Sequence, residues 1–513
     1  MDAPWREVEL ELLSTAGHAE PYGEVDLDVA FTHADGTVLT RPGFFDGDDR
    51  WGVRFAPPRP GTWTWRSTPS VPDAGLTAHG TIEVAPTADP ATAFERHGFW
   101  RMSAGGRHLV HADGTPAVLV GDTAWALPWR ATHDQVVEYA DDRAAKGFNA
   151  VLLMSVQPDT RARGPEDRTL DEGFARGFDD LPAGRLARLR VDYFQHLDTS
   201  VDVLVSRGIV PVWQPVFQGF GWKGLDVAGV LVPPAEYARY CRYLVARYGA
   251  RPAVWLVGAD GTGREPQVEA GGREVHAVDC HGQPTGVHYR PHADNRAHQD
   301  AEWLDFQWCQ TGHGGEHVPE RLADMVRNTP EKAIANGEPT YENTAVTGLA
   351  GGWWQGHEAW SNLCAGAAMG VVQGAGSLWQ WKLHPDEAGQ SPRFSAPGAG
   401  WREALSFPGS TYVGLVGRIL AGMPLTDARP DWTRANRPHA LLVPGEFFLV
   451  YSPDGGDVKF YDAGPVPAPF RIVDPCTGEV VSEGVRGEGD VLRDPGGAPR
   501  VYLCCREFPA TTP

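Results

Sequence analysis

The chain has 513 residues, 42% of them hydrophobic and 22% charged, a composition ordinary for a folded globular protein. That length is too great for one average domain, so two or three are expected. A formal charge of −21 and no run of basic residues exclude nucleic acid and anionic membrane surfaces as natural partners.

No window of about 18 apolar residues exists to span a membrane. Residues 1–9 have neither a basic n-region nor an apolar h-region, so a cytoplasmic location is expected. The seven cysteines are odd in number, scattered and without a C-x-x-C pair, as expected of reduced thiols. Adjacent Cys504 and Cys505 should point to opposite faces of a strand. Nineteen Trp is a high count. Indoles fill large cores or stack on the C–H faces of sugars, and core packing accounts for most of them.

Residues 4–85 read as all-β. Glu7–Leu12 and Val25–Val29 alternate with period two, Trp51–Phe55 and Thr62–Trp65 continue the pattern, and Gly/Pro/Asp turns recur between them. A β-sandwich over residues 1–86 is expected, with 86–93 as a linker. From 94 to 400 the pattern becomes strand-then-helix. Val118–Gly121, Ala150–Met154, Ile209–Gln214 and Val254–Val257 are the first four strand candidates. Thr285–Tyr289, Leu304–Cys309, Ala333–Ala335 and Ser377–Trp381 complete eight. Between them, Thr132 with Gln135 predicts a capping box and Gly147 a helix end. Phe194, Leu197, Val201, Leu204 and Val205 form one apolar helical stripe; Tyr237, Cys241, Leu244 and Tyr248 form another. Eight alternations over about 300 residues predict an α/β fold of the (β/α)8 TIM-barrel type. Neither G-x-G-x-x-G nor a Walker A pattern opens a helix, and no cofactor is expected. Residues 405–513 open with a helix over 410–421 and continue as strands around Ala440–Val443, Glu446–Tyr451, Val458–Asp462, Phe470–Val473 and Arg500–Cys504. A second, C-terminal sandwich is expected there.

Catalytic groups of such barrels stand at the C-terminal ends of the strands. Those ends supply Asp122 and Trp125, Gln157, Gln214, Asp260, His288 and His292, Gln310 and His313, Glu338, and Trp379 with Trp381. Acids, amides, imidazoles and indoles with little positive charge suit a neutral polyhydroxylated ligand. Glu338 lies between Gly337 and Pro339, which are expected to stop its strand abruptly. It reads as a reactive carboxylate or as a cap for backbone amides, and Glu342 competes with it. Asp260 ends an apolar run but also suits an ordinary turn. Asp122 is either a rim group or a brace for the first loop. His288, His292 and His313 read as hydrogen-bonding rim groups or, with Asp260, as metal ligands.

Gly121-Asp-Thr-Ala-Trp125, followed by Tyr139, Arg143 and Lys146-Gly-Phe-Asn149, resembles the DUF4038 family, the apiosidase-like glycoside hydrolases that include GH140. Val254–Asp260, Trp303–Gln310 with Gly312-His313, and Asn336–Glu342 extend the resemblance through the barrel. Trp5–Glu7, Gly43–Gly47 and Trp51–Pro57 are similar to the DUF5060 sandwich. Residues 405–505, with Asp474-Pro-Cys-Thr-Gly478, resemble a collagen-binding-type β domain. The resemblance implies a retaining glycosidase with Asp260 as acid/base after strand 4 and Glu338 as nucleophile after strand 7. Asp122, Trp125, Gln157, Gln214, His288, Gln310, His313 and Trp379 would line the site. It places Ala259-Asp260 where the wider group of such barrels carries Asn-Glu. A raised Asp260 pKa is expected of its acid role. A small carbohydrate is the expected partner. A metal-dependent barrel hydrolase and a non-catalytic sugar-binding barrel are the alternatives.

Overall fold

Period-two alternation near the N-terminus becomes two facing antiparallel sheets in the computed structural model, which describes residues 2–157, 176–219, 229–291, 294–313, 319–344, 351–387, 398–461 and 465–509. One sheet holds Val8–Leu13, Phe44–Phe45 and Arg50–Phe55; the other holds Leu27–His33, Val38–Pro42, Gly61–Pro69 and His79–Val84. Their inner faces share one core that includes Leu12, Val53, Phe55, Val29, Phe31 and Trp63. Phe31 and Phe55 stack across it at 4.0 Å. Buried arginines fasten this sandwich to the barrel, because a buried guanidinium must find acceptors. Arg54 donates to Asp198 at 2.7 Å and to the Arg247 carbonyl at 3.0 Å, and Arg41 donates to the Val245 carbonyl at 2.8 Å.

The middle of the chain closes an eight-stranded parallel barrel. Its strands are β1 (Leu119–Thr123), β2 (Ala150–Met154), β3 (Val210–Gln214), β4 (Val254–Leu256), β5 (Thr285–His288), β6 (Phe306–Gln310), β7 (Ala333–Glu338) and β8 (Gly370–Gln373). Seven lie where the apolar runs predict them. The eighth does not: Ser377–Trp381 is richer in aromatic residues, yet it folds as turns beyond the strand, with Trp381 N donating to the Leu378 carbonyl at 2.9 Å. Gly370–Gln373 is short and opens on a glycine, a weak strand signal. That glycine is required by contact, since a Cβ on Gly370 would lie 2.4 Å from the Leu119 carbonyl oxygen of β1. The barrel closes only where the two backbones approach this nearly.

The helices carry the expected stops. Thr132 and Gln135 form the capping box of the helix His133–Lys146, and Gly147 ends it in the left-handed region at φ 100°. The stripes of Val191–Ser206 and Pro234–Tyr248 turn inward, burying Phe194, Leu197, Val201 and Leu204 in the first and Tyr237, Cys241, Leu244 and Tyr248 in the second.

The C-terminal region differs from a simple sandwich. Six strands, among them His439–Val443, Phe447–Ser452, Ala468–Val473 and Arg500–Cys505, form one sheet. One face is covered by a two-stranded ribbon, Val458–Lys459 with Val491–Leu492. The other packs on helices Trp353–Cys364 and Pro408–Leu420, joining Leu449, Tyr451 and Leu503 to Trp360, Val413 and Val416. Cys504 enters the first of these cores and Cys505 the second, as strand alternation requires. Among the described residues no helix is long and apolar enough to cross a membrane.

Candidate active site

Strand β7 runs through Gly337 and ends only at Glu338, so Gly337 is not the expected breaker. Ala333 and Ala335 face the barrel core while Ile334 packs outside it with Cys309 and Leu322. Strict alternation would turn Glu338 outward with Ile334. The pairing with β6 slips at this point: Cys309 opposes Asn336, and Gln310 opposes Glu338. Gly337 is the extra residue of a bulge, a device that re-aims a side chain at a strand end. Its lack of a side chain is obligatory, because a Cβ there would stand 1.6 Å from Trp308 Cε2, inside a fully buried indole. Gly337→Ala is expected to destabilise the protein by about 1–3 kcal/mol or more through overpacking, and to lower activity with it. Denaturant unfolding and residual hydrolysis measure the two effects.

The bulge delivers Glu338 between two imidazoles. His313 Nε2 donates to Oε1 at 2.9 Å. His288 Nε2 lies 2.9 Å from Oε2, close enough for an ion pair though off the line of a good hydrogen bond. The other nitrogen of His288, Nδ1, sits 2.7 Å from Gln214 Oε1, which fixes the ring at the end of β5. Burial alone would push the Glu338 carboxyl up, but the contacts with His288 and His313 outweigh it and hold the group well below the usual carboxylate range.

Asp260 follows β4 by a few residues, is fully buried, and adopts φ 55°. A non-glycine residue in the left-handed region is uncommon, and Asp is among the few that tolerate it. The turn is clamped on both sides: Gln218 N donates to the Ala259 carbonyl at 2.9 Å, and Arg290 N donates to the Gly261 carbonyl at 2.9 Å. Tyr341 is buried near Glu338. Its hydroxyl faces Thr123 and Glu338; burial pushes its pKa well up, and the charges of Glu338 and Asp260 add to the rise. The Tyr341 ring packs on His313 at 4.3 Å, and a Cβ on Gly374 would meet it at 2.3 Å.

An aromatic wall stands beside these groups. Trp125 meets Trp379 edge-on at 5.6 Å, Phe217 at 5.6 Å and His288 at 6.3 Å. Trp381 turns away to stack on Trp401 at 4.5 Å and to donate to Gln135.

The other expected rim residues divide. Gln310 stands beside Glu338 in register, with its buried Oε1 unpartnered. Gln157 Oε1 accepts the Gly177 amide at 3.0 Å and so holds backbone. Asp122 takes its bracing role: Oδ1 accepts the Thr123 amide at 2.8 Å, while Oδ2 accepts from Tyr139 at 3.1 Å and from buried Arg143. Glu342 is taken up by backbone amides. Its oxygens accept the amides of Gly352 and Gly409, each at 3.0 Å, at the starts of two helices where an acid is stabilised by the helix dipole. His292 lies outside the described residues. Among those described, no group of three or more His, Cys, Asp and Glu is arranged to hold a metal ion.

Phe217, Tyr341 and the bulge at Gly337 were not singled out by strand-end reasoning. A glycine inside a strand next to an acid was the available signal for the bulge. Tyr341 had none, since it lies three residues past the strand end.

A closed parallel barrel whose strand ends gather an ionised carboxylate, imidazoles and an indole wall has the architecture of the barrel glycoside hydrolases. The apiosidase-like catalytic domain model matches residues 103–427, and the DUF5060 model, a domain of unknown function, matches residues 3–70. The first match spans more than half of the 513 residues, and the chain belongs to the apiosidase-like family; it is a glycoside hydrolase. The fold is similar to that of a glycoside hydrolase family 5 protein from Bacteroides vulgatus, at 20% identity and TM-score 0.67 over 80% of this chain and 94% of that one. A second B. vulgatus protein, described as a candidate glycoside hydrolase, aligns at 18% identity and TM-score 0.72 over 99% of this chain and 100% of its own. No curated protein matches the sequence.

Proposed function

We propose that the protein is a retaining O-glycosidase in which Glu338 is the nucleophile and Asp260 the acid/base. The observation that carries this reading is the placing of Glu338: a buried carboxylate aimed by a bulge into the barrel mouth, with His288 and His313 each 2.9 Å from one of its oxygens, contacts that lower its pKa. A nucleophile must be charged before substrate arrives, and two imidazole contacts offset the cost of burying that charge.

In this mechanism a Glu338 oxygen attacks the anomeric carbon and the glycosidic C–O bond breaks. Asp260 gives its proton to the departing oxygen, then takes one from the water that hydrolyses the glycosyl–enzyme ester. Retention calls for carboxylates about 5–5.5 Å apart, against about 6.5–9.5 Å for inversion. Trp125 and Trp379 offer a stacking face, and the Gln310 and Gln214 amides offer hydrogen bonds to hydroxyls. A small neutral glycoside fits this set, and an apioside, another pentofuranoside or a deoxy-sugar glycoside is the proposed substrate class.

The test is a panel of nitrophenyl pentosides, furanosides and pyranosides, with the first-formed anomer of the cleaved member followed by proton NMR. Retained configuration is expected. An inverted first product would remove Glu338 as nucleophile.

A further inference from the structure

Glu358 is a second buried carboxyl close to the site, and the mechanism above does not use it. It projects from the helix Trp353–Cys364 outside the barrel wall and is 1% exposed. Its Oε1 accepts from Thr311 Oγ1 at 2.9 Å, and its Oε2 accepts the Thr340 amide at 3.2 Å. These partners are neutral, and burial pushes the Glu358 carboxyl up. A buried acid held by neutral hydrogen-bond donors is costly compared with an apolar side chain of similar size, so stability alone does not account for it.

What Glu358 joins is informative. Thr311 follows β6, and its amide donates to the Glu338 carbonyl at 3.1 Å. Two residues on, His313 grips the Glu338 carboxylate. Thr340 follows β7 two residues after Glu338. Its hydroxyl donates to the Gly312 carbonyl at 3.2 Å, and its own carbonyl accepts from Gln355, one turn before Glu358 on the same helix, at 2.8 Å. A single carboxyl therefore ties the loop that carries His313 to the segment that follows Glu338.

We infer that Glu358 is a positioning residue for Glu338, acting through Thr311, His313 and Thr340 to hold the attacking oxygen in line. This rests on the reading of Glu338 as nucleophile. A shift of about 1 Å in a reacting group can cost about 100-fold in rate without any change in substrate contacts.

The experiment compares Glu358→Ala, Glu358→Gln and Thr311→Val with wild type, using the nitrophenyl glycoside that wild type cleaves best and its dinitrophenyl counterpart. The second leaving group departs without protonation, so kcat/KM on it, which covers only the first chemical step, reports on the nucleophile and not on Asp260. Glu358→Ala is expected to lower kcat about 100-fold on both substrates with KM changed by no more than about twofold. Glu358→Gln should recover to within about tenfold of wild type, because a carboxamide oxygen in the Oε1 place still accepts from Thr311 and lies 3.4 Å from the Thr340 amide, with only the Oε2 acceptor lost. Thr311→Val, which keeps the side-chain volume, should fall in the same direction as Glu358→Ala. If folded Glu358→Ala or Thr311→Val keeps wild-type kcat on both substrates and loses only melting temperature, the residue is merely structural and the inference fails. A loss confined to the nitrophenyl substrate overturns it equally, by placing Glu358 on the acid side. Undiminished activity of Glu338→Ala would instead overturn the nucleophile reading, whatever Glu358 does.

Discussion

Glu338→Ala is expected to lower kcat by roughly 10⁴- to 10⁶-fold, the scale seen when a covalent nucleophile is removed, while leaving the fold intact. The substitution deletes a charge that the interior tolerates only because His288 and His313 face it. Sodium azide should restore part of the rate. The small anion enters the vacated volume, attacks the anomeric carbon while Asp260 protonates the leaving oxygen, and yields a glycosyl azide of inverted configuration. Failure of azide to form that product, with full loss of hydrolysis, would count against Glu338 as the attacking group. The same histidines set a pH expectation. Because they hold the Glu338 pKa below the ordinary range, its ionisation should not limit kcat/KM on the acid side in wild type. His288→Ala removes one contact and lets burial prevail, so an acid limb should move up the pH scale. A depressed carboxyl stabilises the folded state above its unfolded pKa of about 4.3, and this contribution fades as pH falls toward the folded value.

Asp260→Ala should reduce kcat/KM on nitrophenyl glycosides by about 10²- to 10⁴-fold, the usual worth of a positioned general acid. With a dinitrophenyl glycoside the first step should be nearly unaffected, since that leaving group needs no proton, and the glycosyl enzyme should accumulate as a burst. Azide again diagnoses the role. Needing no general base, it should attack the Glu338-linked sugar from the vacated side and give a product of retained configuration. Equal losses on both leaving groups, with no burst, would remove Asp260 from the acid role. The backbone adds a control. At φ 55° an L-alanine carries a strain of about 1–2 kcal/mol that glycine avoids. Asp260→Gly should therefore match Asp260→Ala in activity while being the more stable of the two, which separates the chemical role of the side chain from the cost of its turn.

Much of this molecule could be read from local pattern. Seven of the eight barrel strands, the capping box at Thr132 and the inward helix stripes follow from hydrophobic period and cap chemistry, which are properties of neighbouring residues. The eighth strand was missed because Gly370–Gln373 has little local preference; closure of the barrel against β1 makes it a strand, and a glycine is needed where it passes Leu119. The expected C-terminal sandwich likewise followed from correct strands, but a sheet can hide a face against helices as well as against another sheet. Here the helices Trp353–Cys364 and Pro408–Leu420 take that place.

At the site, residue type and strand-end position brought Glu338, Asp260, His288, His313, Gln214, Gln310 and the Trp125–Trp379 pair together from the sequence alone, since the C-terminal ends of barrel strands converge whatever lies between them. Which acids were structural could not be decided that way. Asp122, Glu342 and Glu338 are all carboxylates near strand ends, and they differ only in what surrounds them: an arginine and a tyrosine for the first, two helix N-termini for the second, two histidines for the third. Those partners come from segments up to 67 residues away in the chain. The aim of Glu338 depends on one bulge made obligatory by the Trp308 indole of the neighbouring strand. Local sequence determined the elements and the choice of candidate residues; the charge state and direction of each candidate were decided only by packing between elements distant in sequence.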